Sequence, residues 1–259
     1  MSSFSVIDTS SLAYQTVWRE RRYLFRLMVF PLLIKLACFI FALSAGFQDN
    51  ILRLTLCLIP AYLAEGWMIA HFVRLIGFNQ RWPFRPSGDI DQDRPQIIMR
   101  ARGVLGGAVA YTLINMAIGA FIAMMMTVIP FDAAPDDVNP QSALLGLCLL
   151  AFSVWAFRFV WVHILVALDI PPQRMLMMLA SRGITLRLMG VWGLCYVPVM
   201  AAMLMLVSLL FSPFAGTESM ASAGQFGVIV VRVAFDTLKA LFCTAGLTLA
   251  FQYFLGQTK

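Results

Sequence analysis

Charge is scarce in this chain and unevenly spread. Only 12% of its 259 residues are Asp, Glu, Lys or Arg, while 61% are hydrophobic, an apolar share beyond the one half or so of soluble domains. A soluble globular domain is therefore excluded. Lysine and arginine are missing altogether from residues 47 to 50, 131 to 141 and 214 to 225, which hold Asp49, Asp132, Asp136, Asp137 and Glu218 instead. Histidine occurs twice, at His71 and His163, and neither has a His, Glu or Asp at the helical spacing of a metal pair. The HExxH, GxSxG, Walker and GxGxxG signatures are all absent. The chain accordingly reads as non-enzymatic, with no cofactor and no metal. Asp89, Asp91 and Asp93 alternate as in a calcium loop, but Arg94 stands where that loop needs glycine and no Glu closes it. They read as a solvated turn. The five cysteines, Cys38, Cys57, Cys148, Cys195 and Cys243, form no CxxC pair and lie in apolar stretches, as small packing residues do.

What the chain has is apolar length. Six stretches, near 24 to 46, 51 to 77, 103 to 130, 142 to 169, 188 to 213 and 226 to 254, each suffice to cross a hydrocarbon core of about 30 Å as helix. The connections without Lys or Arg alternate with connections holding Arg81, Arg85, Arg94, Arg100 and Arg102, then Arg174, Arg182 and Arg187. Arg19, Arg21, Arg22 and Arg26 sit at the first span. Arg53 is the exception. The positive-inside rule then places both termini in the cytoplasm. The expected fold is all-α: a polytopic membrane protein of six transmembrane helices in three hairpins, one integral domain over 1 to 259, with hairpin units near 9 to 78, 94 to 170 and 171 to 256. Polar residues 1 to 11 precede the arginine cluster, unlike a cleavable signal, so the first span is expected to be retained. The net charge of +6 is accounted for by topology, which leaves no case for nucleic acid.

Each hairpin is entered through a basic amphipathic stretch. The first, roughly 9 to 23, offers Thr9 and Ser10 as helix caps. The second runs from Pro95 to Arg102, and the third from Pro171 and Pro172 to Arg182. Such helices can lie in the headgroup plane with their arginines toward anionic lipid. Trp18, Trp82, Trp161 and Trp192 fit an interfacial belt. Gly103 and Gly107 form a GxxxG that permits close helix approach.

A charge inside an apolar span costs roughly 2.5 to 3.5 kcal/mol on insertion scales, so each needs a partner, a wet cavity or an escape to the interface. Lys35, Glu65, Arg158, Arg232, Asp236 and Lys239 are the candidates. Folding the first hairpin about its tight turn at 47 to 50 puts Lys35 opposite Tyr62 and within a turn of Glu65, which makes these two a pair. The same folding of the second hairpin puts Arg158 opposite Ile114, beside Asn115. Asp236 has Arg232 four residues before it and Lys239 three after, the spacing of helical ion pairs. Arg158 and Lys239, with Asn115, Arg174 and Arg182, are then candidates to hold an anionic headgroup. Glu65, His71 and Asp236 are candidates for a proton or cation relay. Pro31, Pro60 and Pro198 fall within spans, as the broken helices of transporters do.

Three motifs carry a family resemblance. Ala180-Ser181-Arg182-Gly183, followed by Arg187-Leu188, resembles the "Ala, then Thr-Arg-Gly, then Arg-Leu" entry of a group of six-span bacterial membrane proteins. That group is similar to the YciC-like proteins and to the non-catalytic membrane domain of some glycerophosphodiester phosphodiesterases. Ala13 to Leu27 with Pro31, and Trp67 to Arg74, resemble the opening and the second-span close of the same group. The resemblance implies the fold and a bacterial inner membrane, and no catalytic residue. The expected function is an accessory or lipid-handling role with anionic membrane lipids as partners, a protein partner or homo-oligomer being left open. Transport through Lys35, Glu65 and Asp236 is the alternative, and a membrane enzyme the third.

Overall fold

The computed structural model of the chain describes residues 5–84, 86, 89–128, 140–171, 173–174, 177, 182–211 and 221–257. All regular structure among them is helical. The helices are α1 (Val6–Arg19), α2 (Arg21–Ser44), α3 (Ile51–Cys57), α4 (Ile59–Phe78), α5 (Ile90–Val128), α6 (Pro140–Ala156), α7 (Val162–Ala167), α8 (Arg182–Phe211) and α9 (Ala221–Gln257), with 3₁₀ turns at Phe47–Asp49 and Phe157–Trp161. Among the described residues four helical stretches are long and apolar enough to cross a membrane: α2, most of α5, the α6 to α7 run over Leu144–Ala167, and α8. The α3/α4 pair, bent by 56°, makes a fifth if it counts as one span. The chain is thus a helical, multi-pass membrane protein. The sixth expected span falls on α9, 37 residues long but outside that set, with Arg232, Asp236 and Lys239 in its middle turns.

The helical ends differ from expectation in instructive ways. α1 begins at Val6 and is capped by Ser5, whose hydroxyl accepts from the Asp8 amide at 3.3 Å. Thr9 and Ser10, expected as caps, lie inside the helix and return their hydroxyls to the Ser5 and Val6 carbonyls. The stretch from Pro95 to Arg102 is no separate surface helix either: it is the opening of α5, continuous with the span. Asp89 accepts from the Asp91 amide at 3.1 Å at the start of α5, and Asp91 and Asp93 occupy its first turn, where carboxylates meet the positive helix end. The solvated turn is a helix cap. Pro31 and Pro198 sit within unbroken helices, while Pro60 follows the α3/α4 bend. Most of the third lead-in, 172, 175 to 176 and 178 to 181, lies outside the described residues.

α4 is the central helix. From Glu65 to Leu75 nearly every residue is buried, because α2, α5, α7 and α9 pack round it. α1 also joins the bundle: Ala13 is fully buried and sits against Gly246 of α9, and Val6 sits against Gly190 of α8. Tyr14 donates its hydroxyl to the Leu194 and Cys195 carbonyls at 3.1 and 3.2 Å. Burial, with the nearby Cys195 and Cys243 thiols adding to it, lifts that phenol to about 12, so it remains a donor at neutral pH. Trp18 is exposed, at 70%, and Trp82 partly so, as an interfacial belt requires, but Trp161 is a core residue at 1%.

At the basic end of the bundle Arg74 is fully buried. It donates to Asp169 at 2.7 Å, to the Ala167 carbonyl at 3.0 Å and to Gln80 at 2.9 Å, tying α4 to the end of α7. α5 passes this knot through Gly103, where an added Cβ would clash with the Arg74 guanidinium and stand 3.1 Å from the Ala167 carbonyl. One turn on, Gly107 lets α5 approach Ala167 and Ala70. Since the Arg74 head is pinned by its acceptors, it has little room to yield. Gly103→Ala should therefore lower stability by about 1–3 kcal/mol, as overpacking does, seen as a lower detergent-phase melting temperature.

Candidate functional site

Two places in the bundle combine polar chemistry with space. The first is a charge cluster between α2, α4 and α9. Lys35, 3% exposed, donates to both Glu65 oxygens at 3.0 and 2.9 Å, and Glu65 is itself 2% exposed. The cost of burying either charge alone explains why they meet, and the turn at Phe47–Asp49 sets the register that lets them. Lys35 also pairs with Asp236 of α9, 201 positions away. Asp236 in turn pairs with Lys239.

Arg232 is not among the ion-pair partners of Asp236 and is exposed. Side chains on a helix lean toward its N-terminus. Lys239, three residues later, leans back over Asp236, whereas Arg232, four residues earlier, leans away from it. The expected Arg232–Asp236 pair is replaced by one with Lys35. Arg158 departs from expectation too. It lies on the 3₁₀ turn with its guanidinium 4.5 Å from the Trp155 ring centre and 5.3 Å from that of Phe159. Asn115 and Lys239 share the lining of a cavity of about 180 Å³ without it. Asn115 donates to the Tyr111 carbonyl at 2.9 Å. Arg174 is exposed, and Arg182 opens α8 with its side chain outside the described residues. Of the five expected headgroup residues, the structure brings Asn115 and Lys239 to one cavity, and Arg158 is not in its lining.

The second place is a groove of about 810 Å³ bounded by α2, α4 and α5. Phe30, Ile34, Pro60, Leu63 and Leu105 make its walls apolar, with Ala64, Ala101 and Ala108 giving it depth. Its basic end holds Arg100, His71 and Trp82. Arg100 is only 8% exposed, yet it has no carboxylate partner among the described residues. It donates to the Arg81 carbonyl and lies over the Phe84 ring. His71, 4% exposed, stands between Trp67 and Trp82, and its Nδ1 has no hydrogen-bond partner. Arg81 is held in place by Glu20 at 2.9 Å, and the Tyr23 hydroxyl accepts from the Trp82 amide at 3.0 Å. A buried arginine with no carboxylate partner among the described residues is unusual, because buried charges are paired as a rule.

In the sequence Arg100 belongs to a basic lead-in and His71 to a candidate relay, and neither reading joins the two in one groove. The signal lay in Ile97, Ala101, Leu105 and Ala108, an i, i+4, i+8, i+11 stripe of alternating bulk on one face of α5. Among the described residues no three of His, Cys, Asp and Glu converge on a metal-sized site. No family model, curated protein or solved structure matches the chain.

Proposed function

We propose that the chain is a non-enzymatic membrane protein that handles anionic lipid, recognising the headgroup from the cytoplasmic side. In this reading it spans a bacterial inner membrane six times with both termini inside, α9 providing the sixth span. The observation that carries the reading is Arg100, buried at the end of an apolar groove without a carboxylate partner among the described residues. From His71 to Pro60 the groove follows eleven residue steps of α4, about 16 Å at 1.5 Å per step. That is about half of a 30 Å hydrocarbon core, the depth of one leaflet. An acyl chain lies along Phe30, Leu63 and Leu105, and the headgroup meets Arg100 and His71. The headgroup site thus moves from Arg158 and Lys239 to the start of α5.

Solute transport is the second reading, favoured by the chain of Lys35, Glu65, Asp236 and Lys239 across three helices, buried at Lys35 and Glu65 and partly exposed at Asp236 and Lys239, since intramembrane charges commonly mark ion or proton paths. Native mass spectrometry of protein released from membranes separates the two. Headgroup attraction is worth about 1 kcal/mol per basic residue, so Arg100→Gln should cut co-purifying acidic lipid roughly fivefold or more. Arg158→Gln should leave it unchanged. If both variants retain lipid as the natural protein does, the groove is not the headgroup site.

A further inference from the structure

The basic end of the groove between α2, α4 and α5 has room for one negative charge and no more. Among the described residues Arg100 is the one charged side chain in the lining. The guanidiniums nearest to it in the fold are already answered, Arg74 by Asp169 at 2.7 Å and Arg81 by Glu20 at 2.9 Å. Neither adds free positive charge to the groove. Arg100 itself gives one nitrogen to the Arg81 carbonyl, out of a planar fork with five N–H donors. None of its other nitrogens is shut in without a partner, so they are open to a ligand. The rest of this end is Trp67, His71, Trp82 and Phe84, with no carboxylate in the lining.

We propose that the groove selects a phosphodiester monoanion, a phospholipid whose phosphate carries a single charge and whose headgroup beyond the phosphate is uncharged. This rests on the groove being the headgroup site and adds which anion it takes. A diester phosphate has two non-bridging oxygens, which a guanidinium fork can hold together by parallel N–H···O bonds. One cation then meets one anion. A phosphate monoester carries close to two charges above neutral pH, and its second charge would enter an apolar groove with no second cation, which costs free energy. A zwitterionic lipid fails for the opposite reason. Its ammonium would stand beside Arg100 with no acid in the lining to receive it, and the Phe84 ring that could attract a cation already has the Arg100 guanidinium 5.8 Å from its centre.

The test uses the full chain in detergent with phosphatidylmethanol, phosphatidic acid and phosphatidylcholine of identical acyl chains, supplied in equal amounts at about pH 8.5, where a phosphate monoester is close to dianionic. Retained lipid is counted by native mass spectrometry. The first two probes differ by one methyl ester on the phosphate, so their size is nearly the same and their charge is not. Phosphatidylmethanol should be retained roughly fivefold or more over each of the others, the scale of one basic residue's attraction. Arg100→Gln should lower its retention and remove that preference. Ala101→Lys, which adds a second cation on the exposed side of the groove, should raise the share of phosphatidic acid at the expense of its methyl ester. Two results would overturn the selection while leaving the groove as the site, provided that Arg100→Gln still lowers retention. One is phosphatidic acid held as well as its methyl ester, and the other is phosphatidylcholine held equally. Retention indifferent to Arg100→Gln would remove the groove as the site, and this selection with it. The comparison of lipids on the natural protein needs no variant, so it decides the selection even if Arg100→Gln fails to fold.

Discussion

Lys35→Met should destabilise the protein by about 3–5 kcal/mol, the cost of stripping a buried charge of its partner, and Glu65→Gln should cost distinctly less. The asymmetry follows from the cluster's wiring. Glu65 has Lys35 as its one ionic partner among the described residues, so removing the lysine strands a carboxylate that is 2% exposed. Removing the carboxylate leaves Lys35 still paired with Asp236. The double substitution should recover much of the loss, with a coupling energy within the 0.5–3 kcal/mol range of contacting residues. Chemical or thermal unfolding of the two single variants and the double variant in one detergent measures all three. Equal costs for the two single changes would mean that Asp236 does not share Lys35, and strict additivity would mean that Lys35 and Glu65 do not act as a pair.

How far the sequence went is clearest at this cluster. Lys35 and Glu65 were readable as a pair because a four-residue turn fixes the register of two adjacent helices and because a lone charge in lipid is costly. The link to Asp236 was not readable, since it joins α2 to α9 with most of the chain between them and no turn to set the offset. Spacing alone pairs Arg232 with Asp236. Spacing places two residues on one helix face, but the tilt of the side chains decides whether their ends touch. The spans themselves are written in apolar length, which is why α2, α5, α8 and the α6 to α7 run fall where expected. α1 was expected on the membrane surface, and nothing in its own sequence announces that Ala13 meets Gly246 or that Tyr14 reaches the α8 backbone. Complementary small residues on distant helices carry that information jointly.

The second large effect concerns the groove. Ala101 is exposed and lines it, so Ala101→Trp fills the space from its open side without entering the core. Retention of anionic phospholipid should fall tenfold or more, while stability should change by only about 0.5 kcal/mol, as for an exposed substitution away from buried features. Arg100→Gln weakens the headgroup contact and leaves space for the chain. The tryptophan removes the space and leaves the charge. Loss of lipid in both variants points to one ligand spanning both parts, whereas loss in Arg100→Gln alone points to a headgroup held with its chains in the bilayer.

The central claim, that one acyl chain of an anionic lipid lies between α2, α4 and α5, is tested most directly by photolabelling. The protein is reconstituted in bilayers containing an anionic phospholipid with a photoactivatable group midway along one chain, and the labelled residues are identified by peptide mass spectrometry. Labels should concentrate on the segments around Phe30, Leu63 and Leu105, and should leave them in Ala101→Trp. Labels spread evenly over open lipid-facing positions such as Leu186, Val197 and Leu204 of α8, and unmoved by the substitution, would contradict it.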